Sequence, residues 1–325
     1  MYLGKIIQRV DGGADVIRRC WLPIVLAAIL LAVTAGAVAA FPRSHQASVS
    51  VGGAVATPAT YSLAQLGALP QTSFSVSRRW WLGSRTETDQ GVSVEDLVNT
   101  AAPTLPSAKN ALLRVTVAVS GRWGRSVTFA LGELDSGFGN HPAYLALDQN
   151  GHALPAPELV VPGDVNNART VSDVDQITVA VQNPTPTTPP AGSVTIEDGS
   201  ITRTLSTNQL AALPSRTLNV SFLAGTASQS HTEVGPTLAD VLRAARIWWG
   251  PNTWVAAVGS DGYVATVTPA EAFVGGRPLQ ISLNEDGQAP AQPRLVVDGD
   301  VKGGRYVSGV VDLVVGQGVP PHPGW

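Results

Sequence analysis

The sequence predicts an α+β fold: two tandem copies of one mixed-sheet domain that follow a single apolar N-terminal helix. Three observations predict it. A sixteen-residue block recurs, Leu159–Val174 as LVVPGDVNNARTVSDV and Leu295–Val310 as LVVDGDVKGGRYVSGV, with ten identical positions. Short β-rich runs outnumber amphipathic helices and do not alternate with them as a doubly wound sheet requires. Finally, Trp21–Phe41 is a run of 21 residues without a charge.

That apolar run is long enough for a bilayer. A helix of this length spans about 30 Å at ~1.5 Å per residue. Lys5, Arg9, Arg18 and Arg19 precede it, against Asp11 and Asp15. The positive-inside rule then makes 1–20 a cytoplasmic N-terminus, 21–41 a transmembrane anchor, and all that follows extracytoplasmic. Ala37-Val38-Ala39 offers the alternative, a cleaved signal and a secreted product. Arg18-Arg19 before Cys20-Trp21-Leu22 weakly resembles a twin-arginine signal, but ordinary positive-inside charge is the preferred reading of the pair.

Composition sets outer limits. The chain has 325 residues, a formal net charge of −3, 44% hydrophobic and 14% charged residues. It shows no basic stripe interleaved with aromatics, so nucleic acid is not an expected partner. Cys20 is the one cysteine, which excludes an intrachain disulfide and any cysteine-rich metal cluster.

The copies extend well beyond the repeated block. QLGALP at Gln65 matches QLAALP at Gln209, and GVSVEDLVNTA at Gly91 matches GPTLADVLRAA at Gly235. Trp123 meets Tyr263, and Gly151 meets Gly287, in the same order. Residues 47–181 and 193–317 are therefore read as the two copies. Between them QNPTPTTPPAG, 182–192, reads as a semi-extended linker, and 318–325 is a Pro-rich tail. In the second copy Leu238, Val241, Leu242 and Ala245 keep the spacing of an amphipathic helix. Thr237 with Asp240, and Ser93 with Asp96, give the helix-start signal. LLRVTVAV (112–119), TWVAAV (253–258), VATVT (264–268), RLVV (294–297) and VDLVV (311–315) read as strands, with turns at DQNG (148–151) and NEDG (284–287).

The ordered set in the second copy resembles the molybdopterin-binding domain of the sulfite oxidase-like family. Its carriers are Gly235, Leu238, Asp240, Val241, Leu242 and Ala245, then Asp261-Gly262-Tyr263, then Pro293, Arg294, Leu295, Val296, Val297 and Gly299. The likeness covers most of 193–317 and is fainter over 47–181, where Ser120–Trp123 stands in the DGY place. It implies an α+β fold and a pterin-bound molybdenum held by a cysteine thiolate. The stretches that match the ligand strand, Ser73–Gly83 and Thr217–Gly225, contain no cysteine. The expectation is therefore no bound cofactor, with molybdopterin held without a thiolate as the alternative.

Candidate site residues follow. Arg78, Arg79, Trp80 and Trp81 stand where the family places its cofactor loop; guanidiniums hold phosphate or carboxylate and indoles stack on flat rings. The competing reading is an exposed strand whose amphipathic side chains cover a helix edge. Asp261 and Tyr263 flank a glycine turn, with either a binding or a packing role. Asp164 with Arg169, and Asp300 with Arg305, recur in both copies; each pair either fixes its loop or presents the arginine to an anion. Trp248 and Trp249 follow the helix and either cap the core or form a contact patch. The five histidines show no zinc-binding spacing, and DGDVKGG (298–304) lacks the glutamate of a calcium loop, so no metal site is expected.

The resulting expectation is a membrane-anchored extracytoplasmic protein with molybdopterin-binding-like domains in a non-catalytic binding or interaction role. An envelope protein is its expected partner. Two alternatives stand beside it: a molybdopterin-dependent oxidoreductase without a cysteine ligand, and a small-molecule sensor or carrier.

Overall fold

A computed structural model describes residues 47–80, 83–165 and 167–318. The apolar run 21–41 lies outside them; among the described residues no helix is long and apolar enough to cross a membrane.

In the first half the chain forms β1 (Ser48–Gly53), β2 (Ala59–Ser62), α1 (Leu63–Gly67), β3 (Thr72–Trp80), β4 (Gly83–Ser93), α2 (Val94–Ala101), β5 (Val115–Gly121), β6 (Ser126–Ala130), α3 (Leu131–Leu134), β7 (Tyr144–Gln149), β8 (His152–Val160) and β9 (Val174–Val181). One sheet has the order β2-β1-β9-β5-β6, parallel only at β1–β9, and a second has the order β3-β4-β7-β8. Every residue of β5 is buried, the polar Thr116 and Ser120 included, as expected of an interior strand covered on both faces.

The second half supplies β10 (Ser193–Glu197), β11 (Thr202–Ser206), α4 (Thr207–Ala211), β12 (Ser215–Ala224), β13 (Ala227–Pro236), α5 (Leu238–Ala244), β14 (Thr253–Gly259), β15 (Val264–Val267), β16 (Leu279–Ser282), β17 (Asn284–Glu285), β18 (Arg294–Val297) and β19 (Val310–Gln317). Its five-stranded sheet, β11-β10-β19-β14-β15, has the same order as that of the first half. The remaining strands form β12-β13-β17 and β16-β18, so the strand that is continuous as β7 is broken here at Leu283.

Local chemistry explains the helix starts. Ser93 Oγ accepts from the Asp96 amide and Thr237 Oγ1 from the Asp240 amide, both at 3.1 Å. These caps satisfy amides left orphaned at a helix start. Ser62 with Gln65, and Ser206 with Gln209, form full capping boxes at α1 and α4. Sequence and structure differ at 112–114, where a strand is expected. Ala111–Arg114 is a 3-10 turn, and it delivers Leu113 from the first half into the core of the second.

The halves belong to one compact unit. The 182–192 linker is pinned: the Thr187 amide donates to Asp312 Oδ2 at 2.6 Å on β19. The repeated block forms the junction, reciprocally. After β8, the Val165 amide donates to the Phe273 carbonyl at 3.0 Å and the Gly163 carbonyl accepts from the Gly275 amide at 3.1 Å. After β18, the Val301 amide donates to the Phe138 carbonyl at 2.7 Å. On β6 the Thr128 amide donates to the Pro251 carbonyl at 2.9 Å. Glycine is required where the halves press together: a Cβ on Gly304 would lie 2.3 Å from Phe138 and 3.0 Å from Leu113.

Leu113 is fully buried in a core whose other buried members all come from the second half. Leu113→Ala should cost about 2–5 kcal/mol, the usual range for a buried leucine truncation. Urea denaturation checks this; a loss well under ~1 kcal/mol would mean that the second core closes without it.

Candidate functional site at the junction of the halves

The repeated block carries a buried charge network to the junction. In the first half Arg169 donates through Nη2 to Asp164 Oδ1 at 2.7 Å, through Nε to Asp164 Oδ2 at 3.0 Å, and through Nη1 to Glu133 Oε1. In the second half Arg305 donates through Nη1 and Nη2 to Glu271 at 2.8 and 2.7 Å, and through Nε to Asp300 Oδ2 at 2.9 Å. Both arginines and Glu133 are fully buried, and Asp164, Glu271 and Asp300 are nearly so. The Arg169 guanidinium also lies over the Phe129 ring, 5.0 Å from its centroid.

The two networks meet across the junction. Thr268 Oγ1 of the second half donates to Glu133 Oε2 of the first at 3.2 Å. His141 of the first half places Nδ1 3.6 Å from Glu271 Oε1 of the second. Donor atoms of Glu133, His141 and Glu271 all lie within 4.8 Å of one another, a group whose atoms are suited to a metal ion.

Beside this network lies a cleft of about 570 Å³. The first half contributes Lys109, Asn110 and Phe138 to it. Tyr263 ties its two sides, accepting from Asn110 Nδ2 at 3.0 Å and donating to the Gly304 carbonyl at 2.5 Å. Phe222 packs on Tyr306 with ring centroids 4.3 Å apart and forms an apolar wall. Lys109 and Lys302 line the cleft, and neither forms an ion pair among the described residues.

The structure distributes the sequence candidates unevenly. Asp261 and Tyr263 line the cleft, and the Asp261 carboxylate accepts from the Tyr263 amide at 2.9 Å. Arg305 follows directly on cleft residue Gly304, but its guanidinium belongs to the buried network. Arg78, Arg79 and Trp80 lie on β3, and Arg78 and Arg79 do not line the cleft; Trp81 falls outside the described residues. Arg78 meets Glu87, Asp89 and Glu158 at 2.9, 2.8 and 2.6 Å, so carboxylates of its own sheet already occupy the fork that an anionic ligand would need. Trp248 is 91% exposed, whereas Trp249 packs toward Phe273.

Sequence reasoning missed Glu133, His141 and Glu271. A signal for the glutamates existed: each precedes its half's Arg by a similar interval, 36 and 34 residues, which a full alignment of the two halves would have exposed. His141 has no such signal, because Arg277 stands at the matching place in the second half.

Of the two stretches, 73–83 and 217–225, that match the ligand strand of the family the sequence resembles, the second reaches the cleft, as Phe222, Leu223, Ala224 and Gly225. The lining supplies ammonium, amide, phenol and carboxylate groups and no soft anionic sulfur. This donor set does not fit a thiolate-held molybdenum.

No protein-family model matches the chain, and no curated protein matches its sequence. Among solved structures, the sulfane dehydrogenase SoxCD from Paracoccus pantotrophus is similar at 15% identity and a TM-score of 0.32, over 81% of this chain and 77% of that one.

The network's acids respond differently to their surroundings. Burial dominates at Glu133 and, against the pull of Arg169, pushes it up to about 7. Burial likewise lifts Asp300 to about 6 despite Arg305. At Glu271 burial also opposes ionisation, but Arg305 and His141 together bring it down to about 2. A carboxyl raised in the folded state stabilises it at low pH and loses that contribution as pH climbs to the folded value. For Glu133 the loss spans 4.5 to about 7, and for Asp300 3.8 to about 6. Glu271 acts oppositely: its contribution is full above 4.5 and is lost as pH falls toward about 2. Stability in chelator-containing buffer should thus peak in mildly acidic solution. The urea midpoint should be lower at about pH 8 than at about pH 5, with Glu133→Gln reducing the difference. A midpoint that rises over this interval contradicts the assignment.

Proposed function

We propose that this protein is a membrane-anchored, extracytoplasmic recognition protein, built from two copies of one domain, that binds a small organic anion in the cleft between them. The observation that carries the reading is the pairing of Lys109 and Lys302, both without ion-pair partners among the described residues, with the Phe222–Tyr306 aromatic wall. Cationic heads fix an acidic group, while the wall buries the apolar body to which it is attached. The cleft donors include no thiolate, which supports a binding role over molybdenum redox chemistry.

Duplication is supported by ten identities in the repeated block and by the common sheet order. An envelope protein partner is supported by Trp248, a large side chain left 91% exposed. The anchor is supported by the uncharged run 21–41 and its basic flank. N-terminal sequencing of the mature protein checks the anchor: a start at Ala40 or Phe41 contradicts it.

Native mass spectrometry of freshly isolated protein tests the binding reading. A bound organic anion is expected, lost from Lys109→Ala/Lys302→Ala while the protein remains folded. Empty wild-type protein contradicts small-ligand binding, and stoichiometric pterin with molybdenum contradicts the non-redox assignment.

A further inference from the structure

We propose that Glu133, His141 and Glu271 form a divalent-cation site that clasps the two halves together, with Zn²⁺ as the best-matched ion. The inference is independent of what the cleft binds.

The first ground is geometry. The donor atoms lie within 4.8 Å of one another although their residues stand at 133, 141 and 271 in the chain. They come from both halves, so an ion held among them links the halves. Backbone bonds hold two of the three together: the His141 amide donates to the Glu133 carbonyl, and the Gly139 amide to the Gly132 carbonyl, both at 2.9 Å. Gly139 permits this approach, since a Cβ there would lie 2.4 Å from the Glu133 carbonyl oxygen and 2.7 Å from Arg305 Nη2.

The second ground is an unmet donor. His141 Nδ1 has no solvent contact and no hydrogen-bond partner, and the imidazole as a whole is 13% exposed. Most buried polar side-chain atoms find a partner, and a ring nitrogen left without one is available to a cation. Both glutamates keep acceptor capacity beside their arginines, because a carboxylate offers about four lone-pair positions.

The third ground is charge. Glu133, Asp164, Glu271 and Asp300 face only Arg169 and Arg305, so the ionised network is negative by two charges when His141 is neutral. A divalent ion balances that excess. The two halves differ at one informative place: His141 aligns with Arg277, whose Nη1 lies 1.9 Å from where a Cβ on Gly299 would sit. A guanidinium has no lone pair to give a metal, so the pseudo-symmetric arrangement holds one candidate imidazole ligand. One imidazole with two carboxylates suits Zn²⁺ better than Ca²⁺, which takes oxygen ligands alone.

The test is titration of the full-length, chelator-treated protein with Zn²⁺, and with Co²⁺ as a spectroscopic probe. One equivalent of each should bind, Co²⁺ should give visible absorption of a low-coordinate site, and Zn²⁺ at about 100 times its Kd should raise the Tm by about 5 °C or more. His141→Ala should lose at least tenfold in affinity. His231→Ala should not, although His231 also sits beside acids, with Nδ1 2.8 Å from Asp286. Failure of unaltered protein to bind one equivalent overturns the proposal whatever the variants do. So does binding that His141→Ala leaves intact, or that His231→Ala abolishes.

Discussion

Two buried guanidiniums, Arg169 and Arg305, set the terms for everything around them. A charge taken fully out of water must be paired, and removing one partner of a buried pair typically costs about 3–5 kcal/mol. Each arginine is held by an aspartate five residues earlier and by a glutamate from a short helical segment 36 or 34 residues earlier. These bonds fix the loop after β8 and the loop after β18. The same loops make the reciprocal backbone bonds between halves. The charge network and the junction are thus one device, formed twice by the same stretch of sequence.

That device also shapes the cleft. Gly304 precedes Arg305 and offers its carbonyl to Tyr263, while the adjacent Gly303 admits the Phe222 ring, 2.5 Å from where a Cβ would sit. This part of the cleft lining is therefore held by an arginine whose guanidinium belongs to the buried network. The cleft's walls come from both halves, so a ligand held there reads the relative placement of the two. The Glu133–His141–Glu271 group lies at the same seam.

Much of this was legible in the sequence. The repeated block announced a recurring loop, and the Asp–Arg spacing supplied the idea that the pair fixes it. The helix starts at Ser93 and Thr237 were readable because a cap is a local interaction among residues three apart. Less visible was how the halves meet. Leu113 looked like a strand residue by its apolar neighbours, and only the packing of one half on the other explains its 3-10 turn. The surroundings of Arg78 were unreadable for a similar reason: its carboxylate partners come from 87, 89 and 158, and spacing along the chain carries no sign of them. The expectation of no metal site depended on short histidine motifs, whereas the three donors converge across 138 residues of chain.

The reciprocal junction locks the halves into one body. Native-state hydrogen exchange of the Thr128, Val165, Gly275 and Val301 amides, all of which donate across it, tests this most directly. If the junction holds, these amides exchange only through global unfolding, with the same opening free energy as central amides of β9 and β19. Exchange at markedly lower free energy, with β9 and β19 still protected, would show two bodies that part freely and would contradict the account.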